Sequence, residues 1–421
     1  MKDMRIFAPY GYFAPEHAAS SYIWINLHED FAKNGFDCDI YTPIPTRGIS
    51  TDVRQEYATN KKYEDWFDGK LKINRFALWN EPKSTIGRFI RYFAQCGLLY
   101  LKIFYGKKKQ YNVIFSASTP PIMGATSALI KRHLGIPFVY SLQDIFPDSL
   151  VGTGLAKKGG LLWKIGRVIE DFTYRNADKI IVISEDFKKN IMAKGVPEDK
   201  IVVVYNWVDQ NAVVPIEKND NPLFEEFGLS RERFHVVYAG NLGNAQNIHI
   251  IVDAAARLRH NENLDFVVFG SGGIENEIRN RIEAEGLNNL RLLPLQPGER
   301  VKYVYSLGDV CLVCCKEGLG GSAMPSKTWS ILSCGRPVLA NFDEGELQMI
   351  LTKNELGVFT KAGDLDGFVD AIEGLASEPH KCAAMGARGR QFVMGNLTRE
   401  VGTQKYVDVI KSVVAEANKQ G

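Results

Sequence analysis

Three glycine-rich stretches matter for where they fall. Gly240-Asn-Leu-Gly243 follows an apolar run ending at Tyr238, and Gly270-Ser-Gly-Gly273 follows one ending at Phe269. Glu317-Gly-Leu-Gly-Gly-Ser322 follows Cys315 and leads through Met324-Pro-Ser-Lys327 into a helical pattern. Glycine lets backbone N–H groups approach a phosphate closely, and a helix start adds about half a positive charge. Each stretch alone is an ordinary tight turn. All three in this order read as a cradle for a diphosphate.

Two familiar phosphate binders are excluded by spacing. The third glycine of a dinucleotide G-x-G-x-x-G fingerprint starting at Gly270 would fall at position 275, which is Glu275, and no G-x-x-x-x-G-K-[ST] sequence occurs. Cys311, Cys314 and Cys315 raise the question of a metal. The run Val310-Cys-Leu-Val-Cys-Cys315 alternates as a strand, however, and no second Cys pair or nearby His completes a four-ligand set. With an odd total of seven cysteines, buried core thiols in a reducing compartment are expected.

The elements that must position these loops follow from periodicity. Short Val/Ile/Phe-rich runs alternate with helical patterns, the mark of parallel sheets with crossover helices. Expected strands in the front half are 5–8, 37–42, 71–76, 113–116, 137–142 and 179–183. A polar, irregular stretch from Asn206 to Arg233 looks like a connection, and a second series follows at 234–238, 265–269, 290–293, 309–313 and 337–340. Two doubly wound α/β domains are predicted, 1–205 and 206–397, with ligands at the carboxyl ends of the strands. Val401, Tyr406, Val407, Ile410, Val413 and Val414 make an amphipathic last helix, 398–418.

The 421 residues are enough for two or three domains, and 45% hydrophobic with 24% charged residues excludes disordered and collagen-like classes. The net charge of +2 argues against nucleic acid as a partner, but it averages unlike halves. Residues 1–205 carry 29 Lys+Arg against 21 Asp+Glu, and residues 206–421 carry 22 against 28. No signal peptide or spanning segment is visible, so a cytoplasmic chain is expected. The positive excess concentrates between Lys83 and Gln110, which holds Lys83, Arg88, Arg91, Lys102, Lys107, Lys108 and Lys109 and no acid. Phe89, Phe93, Cys96, Leu99, Tyr100, Ile103 and Phe104 recur there at helical spacing, so 83–110 is expected to be an amphipathic helix on an anionic membrane surface, the alternative being a basic helix whose apolar face packs on the sheet.

As a set, Tyr238-Ala-Gly-Asn-Leu-Gly243, Gly270-Ser-Gly272, Leu293-Pro294, Pro325-Ser-Lys327 and Ser333-Cys-Gly-Arg-Pro-Val-Leu-Ala340 resemble the donor domain of family-4 retaining glycosyltransferases. Pro15-Glu16, Gln143-Asp-Ile-Phe-Pro-Asp148, Ala177 to Ser184 and Tyr205-Asn-Trp-Val-Asp209 extend the resemblance to the front half, in particular to the O-antigen and capsule N-acetylfucosamine transferase-like group. The resemblance implies a GT-B fold, two Rossmann-like domains facing across a cleft, with no cofactor and no metal. It implies a nucleotide-sugar donor, UDP-linked, and a lipid-diphosphate-linked glycan acceptor in bacterial surface polysaccharide synthesis, used by an enzyme peripheral on the inner face of the cell membrane. On this ground the implied donor contacts are Gly240, Asn241, Gln246, Gly270, Ser271, Gly272, Leu295, Gly320, Ser322, Ser326 and Lys327.

Some family positions differ. Where the family carries an Arg and Lys clamp on the diphosphate, this chain has Asn241 and Gln246-Asn247, which leaves Lys327 as the candidate replacement. Glu317 is kept for the donor sugar, Ser330 or a neighbour stands in place of a ribose-binding second Glu, and Ala18-Ala19 replaces a Gly pair. Glu317, Lys327 and Asp144 are the candidate catalytic residues, Asp144 either orienting acceptor or capping the next turn. Glu16 and His17 are candidate acceptor-loop residues. The competing expectations are a GT-B nucleotide-sugar 2-epimerase and a non-catalytic sugar-nucleotide-binding subunit.

Overall fold

A computed structural model describes residues 4–16, 21–82, 84–106, 110–152, 154, 156–320 and 323–420. His17, Ala18, Ala19, Lys83, Lys107, Lys108, Lys109 and Ser322 lie outside these. The chain forms two compact units, 1–205 with 402–421, and 206–401.

The first unit is built on β1 (Arg5–Pro9), β2 (Asp37–Pro43), β3 (Tyr63–Trp66), β4 (Leu71–Phe76), β5 (Val113–Ala117), β6 (Phe138–Leu142), β7 (Lys179–Val182) and β8 (Ile201–Val203). Their order in the sheet is β3-β4-β2-β1-β5-β6-β7-β8, parallel except for the antiparallel β3–β4 pair. Every residue of β5 and β6 is buried, as continuous apolar runs covered on both faces should be. Beside them, Tyr406 of the Arg399–Gln420 helix packs its ring on Phe115 and sets its hydroxyl 3.0 Å from Ser141 Oγ. No helix among the described residues is long and apolar enough to cross a membrane.

The second unit carries β9 (Phe234–Asn241), β10 (Leu264–Ser271), β11 (Leu290–Leu293), β12 (Val310–Cys314), β13 (Val338–Phe342) and β14 (Gly357–Lys361), all parallel in the order β11-β10-β9-β12-β13-β14. Val236, Phe266, Val268 and Leu312 of the sheet pack with Ile250, Ile251 and Ala254 of the His249–Arg257 helix. All seven cysteines are free and buried.

β9 and β10 run further than the sequence pattern suggests. Gly240 pairs with Gly270 and Asn241 with Ser271, so two of the expected loops begin as paired strand. Glycine is needed at 270, where a Cβ would meet Leu242 Cδ2 at 2.6 Å and Gly240 O at 2.7 Å. The strands absent from the sequence reading, β3, β8 and β14, are all at sheet edges. Edge strands are short and half-exposed, so their apolar signal is weak.

Candidate active site

In both sheets the strand order reverses once, beside β1 and beside β9. Ligands of open parallel sheets bind outside the carboxyl ends at such a point. In the second unit the reversal falls between β9 and β12, where the segments after both strands and the Lys327–Ser333 helix meet.

Lys327 is the centre of this meeting. Its Nζ donates to Ala239 O at 2.9 Å and lies 4.0 Å from the centre of the Tyr238 ring, a cation–π contact. Gly240 makes the posture possible. Its φ is +144° and a Cβ there would stand 2.7 Å from Nζ. Burial lowers the ammonium from its ordinary value of 10.5 to about 8. Among the described residues no carboxylate pairs with it, and Ala239 O is its one hydrogen-bond acceptor. A partly desolvated cation with N–H groups to spare gains most from an anion that enters beside it.

The neighbouring segments are folded around Leu242. Leu242 N donates to Ser271 O at 2.9 Å, and Ile274 N to Leu242 O at 3.1 Å, which packs Gly270–Gly272 against Gly240–Gly243. Asn241 and Gln246, where the resembled family has charges, face each other at 3.4 Å. The helix expected to supply amides contributes less than its sequence implies. It has seven residues, Ser326 makes no side-chain cap, and the amides of Thr328 and Trp329 already bond to Pro325 O and Ser326 O. Buried positive charge at this edge therefore comes from the Lys327 side chain, while Lys316, just past β12, is exposed.

Glu317 is exposed, on a loop held by a residue that sequence reasoning missed. Asp343, just past β13, accepts Gly318 N at 3.0 Å and Gly320 N at 2.7 Å through its two carboxylate oxygens. An acid after the strand Val338–Phe342 was the available signal. Ser326 and Ser330 are half-buried nearby. Leu295 stands apart: it follows β11, the sheet's edge strand two places from β9, and is 50% exposed. Two Asp-x-Asp sequences, Asp37-Cys-Asp39 and Asp364-Leu-Asp366, serve the fold: Asp37 pairs with Lys70, Asp39 is buried against Tyr111 and Arg5, Asp364 caps the Leu365–Ser377 helix and Asp366 pairs with Arg257.

In the first unit Asp144 follows β6. It is exposed by surface area, yet partial desolvation raises its carboxyl, opposed by hydrogen bonds from the Ser149 side chain and the Ile145 amide. It thus caps the turn that leads into the Asp148–Gly152 helix while still bordering a small hollow with Tyr140, Phe146, Glu170 and Tyr174. Asp148 is a structural anchor, paired with Lys194 at 2.7 Å, and Lys194 also reaches Glu170 at 3.0 Å. Glu16 is 4% exposed and accepts the amides of Thr46 at 2.8 Å, Arg47 at 3.0 Å and Phe13 at 3.3 Å. Burial raises its pKa and the three amides oppose the rise. Its carboxylate organises the loops after β1 and β2.

Two family models tile the chain: Glycosyltransferase Family 4 over residues 22–212 and Glycosyl transferases group 1 over residues 219–392. A probable glycosyltransferase WbjE of Pseudomonas aeruginosa is 23% identical over 312 residues, 74% of this chain and 77% of its own. A putative colanic acid biosynthesis glycosyl transferase, WcaI of Escherichia coli K12, is 29% identical over 210 residues, about half of each chain (49% and 51%). The crystal structure of Anabaena Alr3699/HepE in complex with UDP superposes with a TM-score of 0.72 at 15% identity, covering 97% of this chain and all of that one, a likeness of GT-B fold. With its two Rossmann-like units and both models matched, the chain belongs to the family-4 glycosyltransferases and is a transferase enzyme.

Proposed function

We propose that this enzyme transfers a sugar from a UDP-linked donor, with retention of anomeric configuration, to a lipid-diphosphate-linked glycan during assembly of a bacterial surface polysaccharide. The observation that carries the donor half is the Lys327 ammonium at the β9/β12 reversal, desolvated, aimed past Gly240 and paired with no carboxylate among the described residues. A leaving diphosphate accumulates negative charge as the glycosidic bond breaks, and a fixed ammonium stabilises that charge without reorganising. Asn241, Gln246, Ser271 and the Gly270–Gly272 backbone line the same edge as neutral donors. Glu317, on the loop pinned by Asp343, holds sugar hydroxyls. HepE, in its complex with UDP, supports the choice of nucleotide, and the printed names of the relatives support surface polysaccharide.

In this mechanism the departing diphosphate takes the proton of the incoming hydroxyl on the same face of the sugar, so the protein supplies no nucleophile. Asp144 orients the acceptor hydroxyl. Membrane attachment is supported by the Thr85–Phe104 helix, which has no acidic residue and exposes Ile86 (75%), Ile90 (59%) and Phe93 (54%). The test is a panel of nucleotide sugars screened for binding, then transfer to a lipid-diphosphate sugar with the product anomer read by NMR. A retained anomer and UDP release that depends on acceptor are expected. Inversion would overturn the mechanism, and UDP release without acceptor would favour an epimerase.

A further inference from the structure

We infer that the groove between the Thr85–Phe104 and Leu161–Asn176 helices is a slot for the hydrocarbon chain of the acceptor lipid, leading to Asp144; this deepens the lipid-linked reading above and rests on it. Both helices pack against the Ile122–Leu134 helix, and a groove open to solvent lies between them. Phe89 and Phe93 form one wall, Leu162 and Ile165 the other, with Ile122 and Phe146 at the base. Among the described residues no charged side chain lines it.

Its inner end adjoins the small hollow that contains Asp144: Pro121 and Phe146 line both, within a single unit. Gly166 fixes that junction. A Cβ there would meet Pro147 Cβ at 2.6 Å and Phe146 Cε1 at 2.9 Å, so only glycine lets the Leu161–Asn176 helix lie against the loop that carries Asp144.

The outer rim argues for a lipid chain over a protein surface. Leu161 is 77% and Val168 67% exposed beside the groove, and the exposed cations Arg88, Lys157, Lys158 and Lys164 belong to the two helices or lie just before the second. A second copy would set these like charges against each other. An anionic head with a hydrocarbon tail satisfies both the charge and the apolar track.

The experiment compares transfer to synthetic sugar-diphosphate acceptors bearing a C5 or a C20 isoprenoid chain, and binding of geranylgeranyl diphosphate followed by protein fluorescence. Each buried methylene favours the longer chain, so its KM is expected to be at least about tenfold lower. In Ile165→Asp and Phe93→Ala, both at half-exposed positions where folding is tolerant, the ratio of the two KM values should fall towards one and geranylgeranyl diphosphate binding should weaken. Equal KM values for the two chains in the unaltered protein, or a ratio left intact by both variants, would overturn the slot. Loss of vesicle binding in the variants with the chain-length ratio preserved would also overturn it, in favour of a plain membrane patch. Chain binding that responds to the variants without transfer to either acceptor would uphold the slot and sink the function proposed above.

Discussion

The two units share one plan, a parallel sheet with a single reversal of strand order, and differ in what they show the solvent. Of the nineteen large apolar side chains exposed among the described residues, sixteen belong to the first unit and three, Leu295, Met349 and Met394, to the second. The chain to residue 205 is basic and the rest is acidic. The acidic unit nevertheless holds the desolvated lysine. Surface charge and site charge are thus separate properties: the first bears on what the protein lies against, the second on what it binds at a sheet edge.

This division is open to attack from both sides. The largest effect is expected from Lys327→Ala in the second unit. Removing a charge-assisted contact of about 1.5 to 3 kcal/mol should slow transfer roughly 10- to 150-fold. The loss should be the same whichever acceptor is used; near-normal turnover of a folded variant would remove Lys327 from the site.

The same lysine predicts a pH limb of about tenfold. With its ammonium at about 8, kcat/KM for donor should fall as pH rises from about 7 to about 9, and Lys327→Arg should move that limb upward. The stability effect has the opposite sign. Between about 8 and 10.5 the unfolded chain holds a proton that the folded chain has shed, so this group's contribution to stability rises with pH over that window. A flat profile from about 7 to about 9 would show that the lysine carries no essential charge.

A smaller effect, about three- to tenfold, is expected at Asp144→Asn, and it should appear in acceptor KM or in turnover while UDP binding is unchanged. A change in UDP affinity would break the assignment of acceptor to one unit and donor to the other. The smallest is expected at Asp343→Asn, which keeps one acceptor oxygen for the Glu317 loop and should raise donor KM only a few-fold. If Asp343→Asn instead altered acceptor KM alone, the Glu317 loop would belong to the acceptor.

The fold class was legible because buried parallel strands such as Val113–Ala117 and Val310–Cys314 are continuous apolar runs, separated by helical periods. The edge strand Tyr63–Trp66 was not, since Tyr-Glu-Asp-Trp alternates exposed and half-buried faces and reads as loop. Lys327 was picked out as a residue, but its fold-back onto Ala239 depends on a contact between positions 88 apart, which periodicity does not carry. Asp343 was missed because one acid after a strand looks like any turn residue. The burial of Glu16 was not legible either, because it follows from amides of Thr46 and Arg47, 30 and 31 residues away.

The contact between Gly240 and the tip of Lys327 has a consequence for how such a site changes over generations. A methyl group at 240 and the amine of 327 claim the same space. Position 240 is constrained twice, by this contact and by a φ of +144° that no other residue adopts easily, so a lineage that loses the lysine does not thereby release the glycine. Gly240→Ala should therefore slow transfer by displacing the lysine, and removing the lysine as well should not restore it. The glycine answers to its own backbone and to a side chain written 87 positions away.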